Sequence, residues 1–526
     1  MRTHREADNR PQGPTPSTPA PLPLAPRDYE NWSRMIHVRG VLTATPRTDD
    51  EALSLVQWAA REGYRVRPMG AFHTWSPLAF EEAARVIAID QSQLTGLTGF
   101  SDTPVPAATF RAGTTLAEAV RALEDIDNHG ASEAPGWAWP DYPGVPDVTI
   151  GGMLAIGAHG AGVRQRGDQP DLFGTVSNLV LGFRAIVSDG EDYIIREFRR
   201  DEPEAAALLV HLGAAYLLSV TMRVVPNCYL SRSVDYPDWE TAYAPTAAPG
   251  SIQSTIRAHG RVQALWFPFT QTPLVQHFTE EGYVDGPRVT EPLRVRLSPD
   301  LPPAFTTAFT QTLAHLPWLT PLVERATLRE MRHLSPPDRE WHGTSGNMLL
   351  YVQHDTLRVV SLAYAVHTRA EGLQEAIHDI TRKFDSMLHE YAHAGHDPIN
   401  SCLEMRVTDV DHAEAVGIPG AAAALLSPGL PMGDSVHVIW IDLVTTPGTP
   451  MAWDFYAEYE AWLWQRFPGR LRPEWSKAWA VSTEGPWTDP TVLAWVREAI
   501  RPAAATWDAL DKAGVYGSPL LDRLRT

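Results

Sequence analysis

At 526 residues the chain is longer than one ordinary domain and long enough to bury large cores. Its 44 basic and 63 acidic residues leave a formal charge of −19, which argues against nucleic acid, whose binding needs a basic face. No run of eighteen apolar residues occurs, so no membrane span is expected, and two cysteines, Cys228 and Cys402, make neither a disulfide framework nor a metal spacing.

Residues 1–28 are rich in proline and polar groups and read as a flexible lead-in, with order beginning near Tyr29. They hold no continuous apolar core of signal-peptide length, which favours a cytoplasmic protein, while Ala20 to Ala25 leaves export open. A strand over Ile36 to Leu42 leads to a helix capped at Thr48-Asp49-Asp50 and running to about Glu62, with Ala52, Leu55, Val56 and Ala59 at helical spacing. Arg65 to Pro68 is a short strand entering the turn Met69-Gly70-Ala71-Phe72-His73-Thr74. Val86 to Asp90 and Ala107 to Ala112 are β runs, and a threonine-capped helix follows from Thr114 to Glu124. A loop spans Pro135 to Pro146, and Gly151 to Gly160 has the small, apolar composition of a closely packed helix. Three further β runs, Leu179 to Val187, Asp192 to Arg196 and Leu217 to Val225, make the first 227 residues α+β.

Beyond Pro226, strands are expected at Trp266 to Thr270, Met348 to Gln353, Val359 to Thr368, Leu403 to Thr408 and Val436 to Leu443. Helices are expected at Glu371 to His393 and Ala452 to Phe467. The reading is a cap over residues 228–472 with an antiparallel sheet covered on one side by helices, and a segment over 473–526 that returns to the first domain.

Glycine turns at Pro68-Met69-Gly70-Ala71 and Thr149-Ile150-Gly151-Gly152 allow successive N–H groups to face a pyrophosphate. Neither is a G-x-G-x-x-G after a strand, and there is no P-loop. Physics alone makes a phosphate-bearing cofactor one reading and two ordinary turns the other. His389-Glu390-Tyr391-Ala392-His393 fits H-E-x-x-H, but Leu373, Ile377, Ile380, Phe384, Leu388 and Tyr391 define the buried stripe, so both histidines flank it near the helix end; no metal is expected.

The Gly70 to Trp75 turn, Asp147 to Gly152 with its His159-Gly160 end, and Gly174 to Asn178 resemble, in series and order, the FAD domain of the vanillyl-alcohol-oxidase superfamily. From Tyr29 to Leu524 the chain is most similar to bacterial cholesterol oxidases with covalent flavin, through Trp266 to Thr270, Thr356-Leu357-Arg358, Glu404-Met405-Arg406, Pro447 to Pro450, Phe455-Tyr456 and Pro473 to Lys477. The middle domain is shorter than in those oxidases. The resemblance implies a two-domain flavoprotein whose FAD is bonded to His73 alone and contacted by Pro68 to Thr74, Thr149 to Gly152, Gly157, His159, Gly160, Ser177, Asn178 and Val220. It also implies that Val515 to Ser518 returns to the ring.

Glu404 and Arg406, two apart on a strand, share a face; the resemblance puts them at the reactive edge of the flavin, with Lys477 joining them. Two positions depart from the family: Gln263 stands where those oxidases have a glutamate, and Asp442 where they have an asparagine. Glutamine takes no proton, so Glu404, then His354 and Lys477, are the alternative bases, and Asp442 opposite Lys477 changes what the pocket accepts. The implied reaction is oxidation by O2 of a hydrophobic alcohol, a 3-hydroxysteroid or another bulky alcohol. A flavin-binding protein without turnover remains the alternative, and the oligomeric state is not legible.

Overall fold

Local signals start most elements of the first half. Thr48 accepts a hydrogen bond from Glu51 N and opens the helix Asp49–Glu62, which Gly63 ends at φ +68°. Thr115 and Glu118 form a reciprocal capping box on Leu116–Glu124. The computed structural model describes all residues except 1–15, 80–84, 166–171, 285–287, 293–311, 313, 353–357 and 526. His354 and part of the lead-in therefore lie outside the described residues.

Three sheets carry the architecture. In the first, Ala25–Glu30 pairs antiparallel with His37–Ala44, which continues in parallel through Val86–Asp90 to Arg65–Met69. The second is antiparallel, in the order Leu97–Ser101, Ala107–Arg111, Tyr216–Arg223, Val180–Ser188, Tyr193–Arg199. The third has eight antiparallel strands, in the order Trp341–Thr344, Tyr229–Asp235, Leu274–Glu281, Arg261–Trp266, Leu403–Asp409, His437–Thr445, Val360–Thr368, Leu471–Pro473. The helices Ile252–His259, Leu373–His393 and Ala452–Arg466 supply Ile256, Ile377, Phe384, Phe455 and Leu463 to a core shared with Val262, Ala264, Leu403, Met405 and Ile441. These strand residues alternate with Gln263, Glu404, Arg406 and Asp442, so the other face of the sheet is left for the site.

Several expectations are corrected. Order begins before Tyr29, because Ser17 and Thr18 bind the Glu62 carboxylate, Trp58 Nε1 donates to Thr18 O and Ala25–Glu30 adds a strand. The run from Trp266 to Thr270 stops being a strand at Trp266: Pro268 interrupts it, and Phe269 takes φ +62° as Thr270 Oγ1 donates back to Phe267 O at 2.6 Å. Of the run expected at Met348 to Gln353, Met348 to Val352 is not a strand, since Ser345–Leu349 is one helical turn after which Val352 N bonds Gly144 O, and Gln353 lies outside the described residues. The glycine-rich helix is Ile150–Ile156, ended by Gly157 at φ +64°.

The turn after Leu471–Pro473 is pinned by Glu460, which is buried under it. Glu460 accepts from Ala480 N at 2.6 Å, from Val481 N at 2.7 Å and from the Tyr364 hydroxyl. Burial, outweighing these donors, pushes its pKa from 4.5 to about 7. A carboxyl whose folded pKa is raised takes up a proton on folding, so its contribution is greatest below pH 4.5 and is lost as pH rises through 7. Chemical denaturation at several pH values should show the wild type losing about 3 kcal/mol more than Glu460→Gln across that window. Parallel curves would refute this.

Candidate functional site

The turn from Gly70 to Ser76 lies between the two faces that build the site. The strand Arg65–Met69 delivers it, and buried Arg67 anchors its base by donating to Leu78 O, Gly213 O and Tyr516 O. Gly213, at φ +83°, has no room for a Cβ, which would stand 2.2 Å from the Arg67 guanidinium. Phe72 takes φ +53°, and the N–H groups of Ala71, His73 and Thr74 bond to none of the described residues. Successive free N–H groups on a turn with a left-handed residue form an anion-binding concavity.

His73 Nε2 lies 2.9 Å from Asp147 Oδ1, and its ring stacks on Trp32 with centroids 5.7 Å apart. Farther along, Trp75 N donates to Ser476 O at 2.6 Å, Ser76 Oγ to Trp475 O at 2.6 Å and Trp75 Nε1 to Val359 O at 2.7 Å. The turn thereby fastens to the Trp475-Ser476-Lys477 stretch.

Between them opens a cleft with about 1200 Å³ free of protein atoms, part of it open to solvent. Its lining includes Pro68 to Thr74, Thr149, Gly152 and His159 on one side and Arg406, Glu474 and Lys477 on the other. The glycine pattern favours an anion at the start of Ile150–Ile156. The N–H of Ile150 donates to Thr114 O, that of Gly151 to Ala112 O and that of Gly152 to Thr149 Oγ1, so these donors are already used. Farther along, packing requires glycine at two positions: a Cβ at Gly157 would stand 2.7 Å from Pro428, and one at Gly160 2.0 Å from Asp141. Ile150, Gly151, Gly157, Gly160, Ser177, Asn178 and Val220 are not among the lining residues, and neither is Val515 to Ser518. Val220 is wholly buried between Phe110 and Phe183 of the antiparallel sheet, and Ser177 Oγ bonds Thr175 Oγ1.

The facing charges form one network. Arg406 reaches Glu404 Oε1 with Nε at 3.1 Å and Asp442 Oδ2 with Nη2 at 2.7 Å. Lys477 Nζ donates to Asp442 Oδ1 at 2.5 Å, lies 3.4 Å from Glu474 Oε1 and sits 4.8 Å above the Trp75 ring. Glu474 Oε2 is 3.7 Å from His159 Nε2, and the His159 ring stacks at 3.5 Å on Trp440. Three carboxylates thus surround two cations. Burial would raise the Asp442 pKa, but Lys477 and Arg406 outweigh it and hold the group well below the carboxylate range. Burial pulls Lys477 down, yet Asp442 and Glu474 leave it raised, and Arg406 is raised for the same reason by Glu404 and Asp442. Both cations therefore stay charged at neutral pH.

Gln263, across from Arg406 in the sheet, donates from Nε2 to Glu404 Oε1 at 2.6 Å. Its carbonyl accepts from Tyr351 OH at 2.8 Å and from Gln276 Nε2, and Gln276 accepts from Arg232 Nε at 3.0 Å. Glu404 Oε1 therefore accepts the Gln263 hydrogen bond with the Arg406 guanidinium beside it as an ion pair. Sequence reasoning misses Asp147, Trp32, Glu474, Tyr351, Gln276 and Arg232. Glu474, three residues before Lys477, is the one with a local signal; the others arrive through register or tertiary packing. His389 Nδ1 bonds Asp385 O at 2.9 Å within its own helix, and among the described residues no group of three His, Cys, Asp or Glu is placed for a metal ion.

A family profile described as "Cholesterol oxidase, substrate-binding" matches residues 228–526, and one described as "FAD binding domain" matches residues 41–192. Among solved structures, a solvent-stable cholesterol oxidase is 30% identical with a TM-score of 0.89, the match covering 97% of this chain and 100% of that one. The cholesterol oxidase from B. sterolicum is 28% identical with a TM-score of 0.90, covering 98% and 99%. Among curated proteins, L-gulonolactone oxidase of Bos taurus is 23% identical over 46% of this chain and 49% of its own length. D-arabinono-1,4-lactone oxidase of Eremothecium gossypii is 22% identical over 40% and 37%. The match thus spans about half the length or less of these two curated relatives.

Proposed function

The chain belongs to the family of FAD-linked oxidases that carry the cholesterol oxidase substrate-binding domain, and from that premise we propose that it oxidises a bulky, largely hydrophobic secondary alcohol, with a 3-hydroxysteroid as the leading class. The supporting observation is the charge network of Glu404, Arg406, Asp442 and Lys477, whose two cations, Arg406 and Lys477, line one cleft together with the Gly70 to Thr74 turn. In this reading residues 29–227 hold the cofactor, 228–472 cap it and 473–526 return to lock the two.

The residues present fit FAD. The free N–H groups of Ala71, His73 and Thr74 suit its pyrophosphate, and with Nε2 directed to Asp147, His73 has Nδ1 available for a bond to the flavin 8α-methyl. When bound, FAD supplies the acceptor for the substrate hydride and passes the electrons to O2, giving H2O2. The chain does the rest. Arg406, charged at neutral pH and fixed by two carboxylates, stabilises negative charge on the substrate oxygen. Glu404, with Oε1 held by Gln263 and Arg406, presents Oε2 to take the hydroxyl proton. Asp442 and Glu474 keep Lys477 in place beside Trp75.

A sugar lactone, as in the names of the curated relatives, is less well served. Beyond the charges the same sheet face carries Leu265, Leu274, Cys402 and Val444, joined by Leu328 and Met331 of the helix Thr320–Leu334. The cleft wall itself adds Trp75, Val145, Val148 and Met153, and contact with such side chains favours an apolar substrate.

Acid precipitation tests attachment. Yellow colour is expected in the pellet of the wild type and in the supernatant of His73→Ala; colour leaving the wild-type pellet overturns the covalent bond. Anaerobic mixing with 3-hydroxysteroids tests the reaction, and failure of every alcohol to bleach the flavin overturns it.

A further inference from the structure

The helix Thr320–Leu334 lies over the apolar end of the substrate-facing sheet surface, and its buried stripe is Thr320, Glu324, Leu328 and Met331. The spacing of four, four and three residues puts all four on one side. Leu328 and Met331 meet Val234, Leu265, Leu274, Cys402 and Val444, as an apolar roof should. Thr320 and Glu324, one turn apart, do not fit that role.

Thr320 is fully buried and its hydroxyl has no partner among the described residues. Glu324 is 3% exposed, and its carboxyl bonds to none of the described residues. Burial alone acts on it and keeps it protonated, its pKa lifted well above the carboxylate range. Its position is close enough to the Cys402 thiol to perturb that group's titration, as does Glu404 from two residues along the same strand face. Two residues of extended strand are about 7 Å. Glu324 shares its stripe with Leu328 and Met331, which pack in one cluster with Leu265 and Cys402, so it stands on the helix side turned to the sheet face of Glu404. An unpaired acid and an unpaired hydroxyl in an apolar cluster each cost about 1–3 kcal/mol if nothing ever satisfies them.

Building on the alcohol-oxidase reading above, we propose that Thr320 and Glu324 form a polar subsite for an oxygen function, keto or hydroxyl, at the end of the substrate remote from the carbon oxidised. The neutral carboxyl donates to that oxygen, and the Thr320 hydroxyl donates or accepts beside it. The preferred substrate is then a bulky alcohol oxygenated at both ends, and a pure hydrocarbon tail leaves two buried groups unsatisfied. This makes Glu324 and Thr320 specificity residues, outside the proton and hydride steps.

The test uses the flavin-loaded full chain and two steroids lacking the 3-hydroxyl, so that oxidation plays no part. One carries a ketone at the far end of the ring system, the other a methyl group in its place. Isothermal titration should show the ketone binding the wild type at least about 10-fold more tightly, the scale of one satisfied buried hydrogen bond. Glu324→Leu should abolish that preference, Glu324→Gln should keep most of it, and Thr320→Val should reduce it several-fold. Without ligand, Glu324→Leu should also raise Tm, whereas a structural acid would give a fall. Equal binding of the two steroids, no binding of either, or a preference that survives Glu324→Leu overturns the subsite; if that variant does not fold, Thr320→Val decides. Should the preference hold while no alcohol bleaches the flavin, the subsite stands and the oxidase reading falls. Bleaching by alcohols with no ketone preference leaves the oxidase reading standing and removes the subsite.

Discussion

Replacing Arg406 by Met is expected to slow anaerobic flavin reduction about 10³-fold, the scale on which removal of a preorganised charge donor is felt. Two effects combine. The substrate oxygen loses its cation, and of the two carboxylates that Arg406 holds at 3.1 and 2.7 Å, Glu404 is left with the Gln263 amide alone and Asp442 with Lys477 and the Ser361 hydroxyl. Breaking such a buried network costs about 3–5 kcal/mol, so Arg406→Met will also be less stable. Arg406→Lys separates the effects: it keeps the charge, loses the fork that spans two carboxylates, and should fold while reducing flavin about 10²-fold more slowly. Reduction at the wild-type rate in Arg406→Lys, measured by stopped flow, would remove Arg406 from the chemistry.

Gln263→Glu is expected to change the pH dependence of turnover more than its maximum. The amide now donates to Glu404 at 2.6 Å. A carboxyl in its place puts two acids within hydrogen-bond reach, and two such groups share a proton, so that one of them titrates higher. The acid limb of kcat/KM should move up by about one to two pH units. Tyr351 and Gln276, which donate to the Gln263 carbonyl, also fit a carboxylate there, so the fold should tolerate the change. An unmoved limb would mean that Glu404 is not the base. If the substrate is a steroid with a ring double bond, the variant should also gain the conjugated-enone absorbance that a proton shuttle permits.

How much is legible in the sequence depends on the range of each interaction. Helix starts at Thr48 and Thr115 can be read because a cap acts within three residues. Glu404 and Arg406 can be put on one face because a strand has period two. The run from Gly70 to Thr74 announces a turn by composition, although the N–H groups of Ala71, His73 and Thr74, which bond to none of the described residues, become visible only with coordinates. The glycines after Thr149 are harder to read, because Gly157 and Gly160, needed for packing against Pro428 and Asp141, have the same letter as a glycine needed for a phosphate. Trp266 to Thr270 misleads because its apolar content outweighs the proline within it. Trp32 on His73, Trp440 on His159 and the chain Gln263, Gln276, Arg232 depend on register and on partners distant in sequence, where no local pattern exists. The helix Thr320–Leu334 is not among the elements expected from the sequence, and the burial of Thr320 and Glu324 within its stripe is visible only in the structure.

The anchoring of Arg67 carries a consequence in time. Its guanidinium donates to Tyr516 O, and Val66 N donates to Val515 O, the first across a separation of 449 residues. A ribosome delivers the strand Arg65–Met69 long before it delivers the carbonyls that hold it. During synthesis the nascent turn stands on an unfinished foundation, with a buried arginine that has only Leu78 and Gly213 to bind. The base of the turn is therefore complete only once the distal segment has arrived, and a chain stalled before Val515 lacks it.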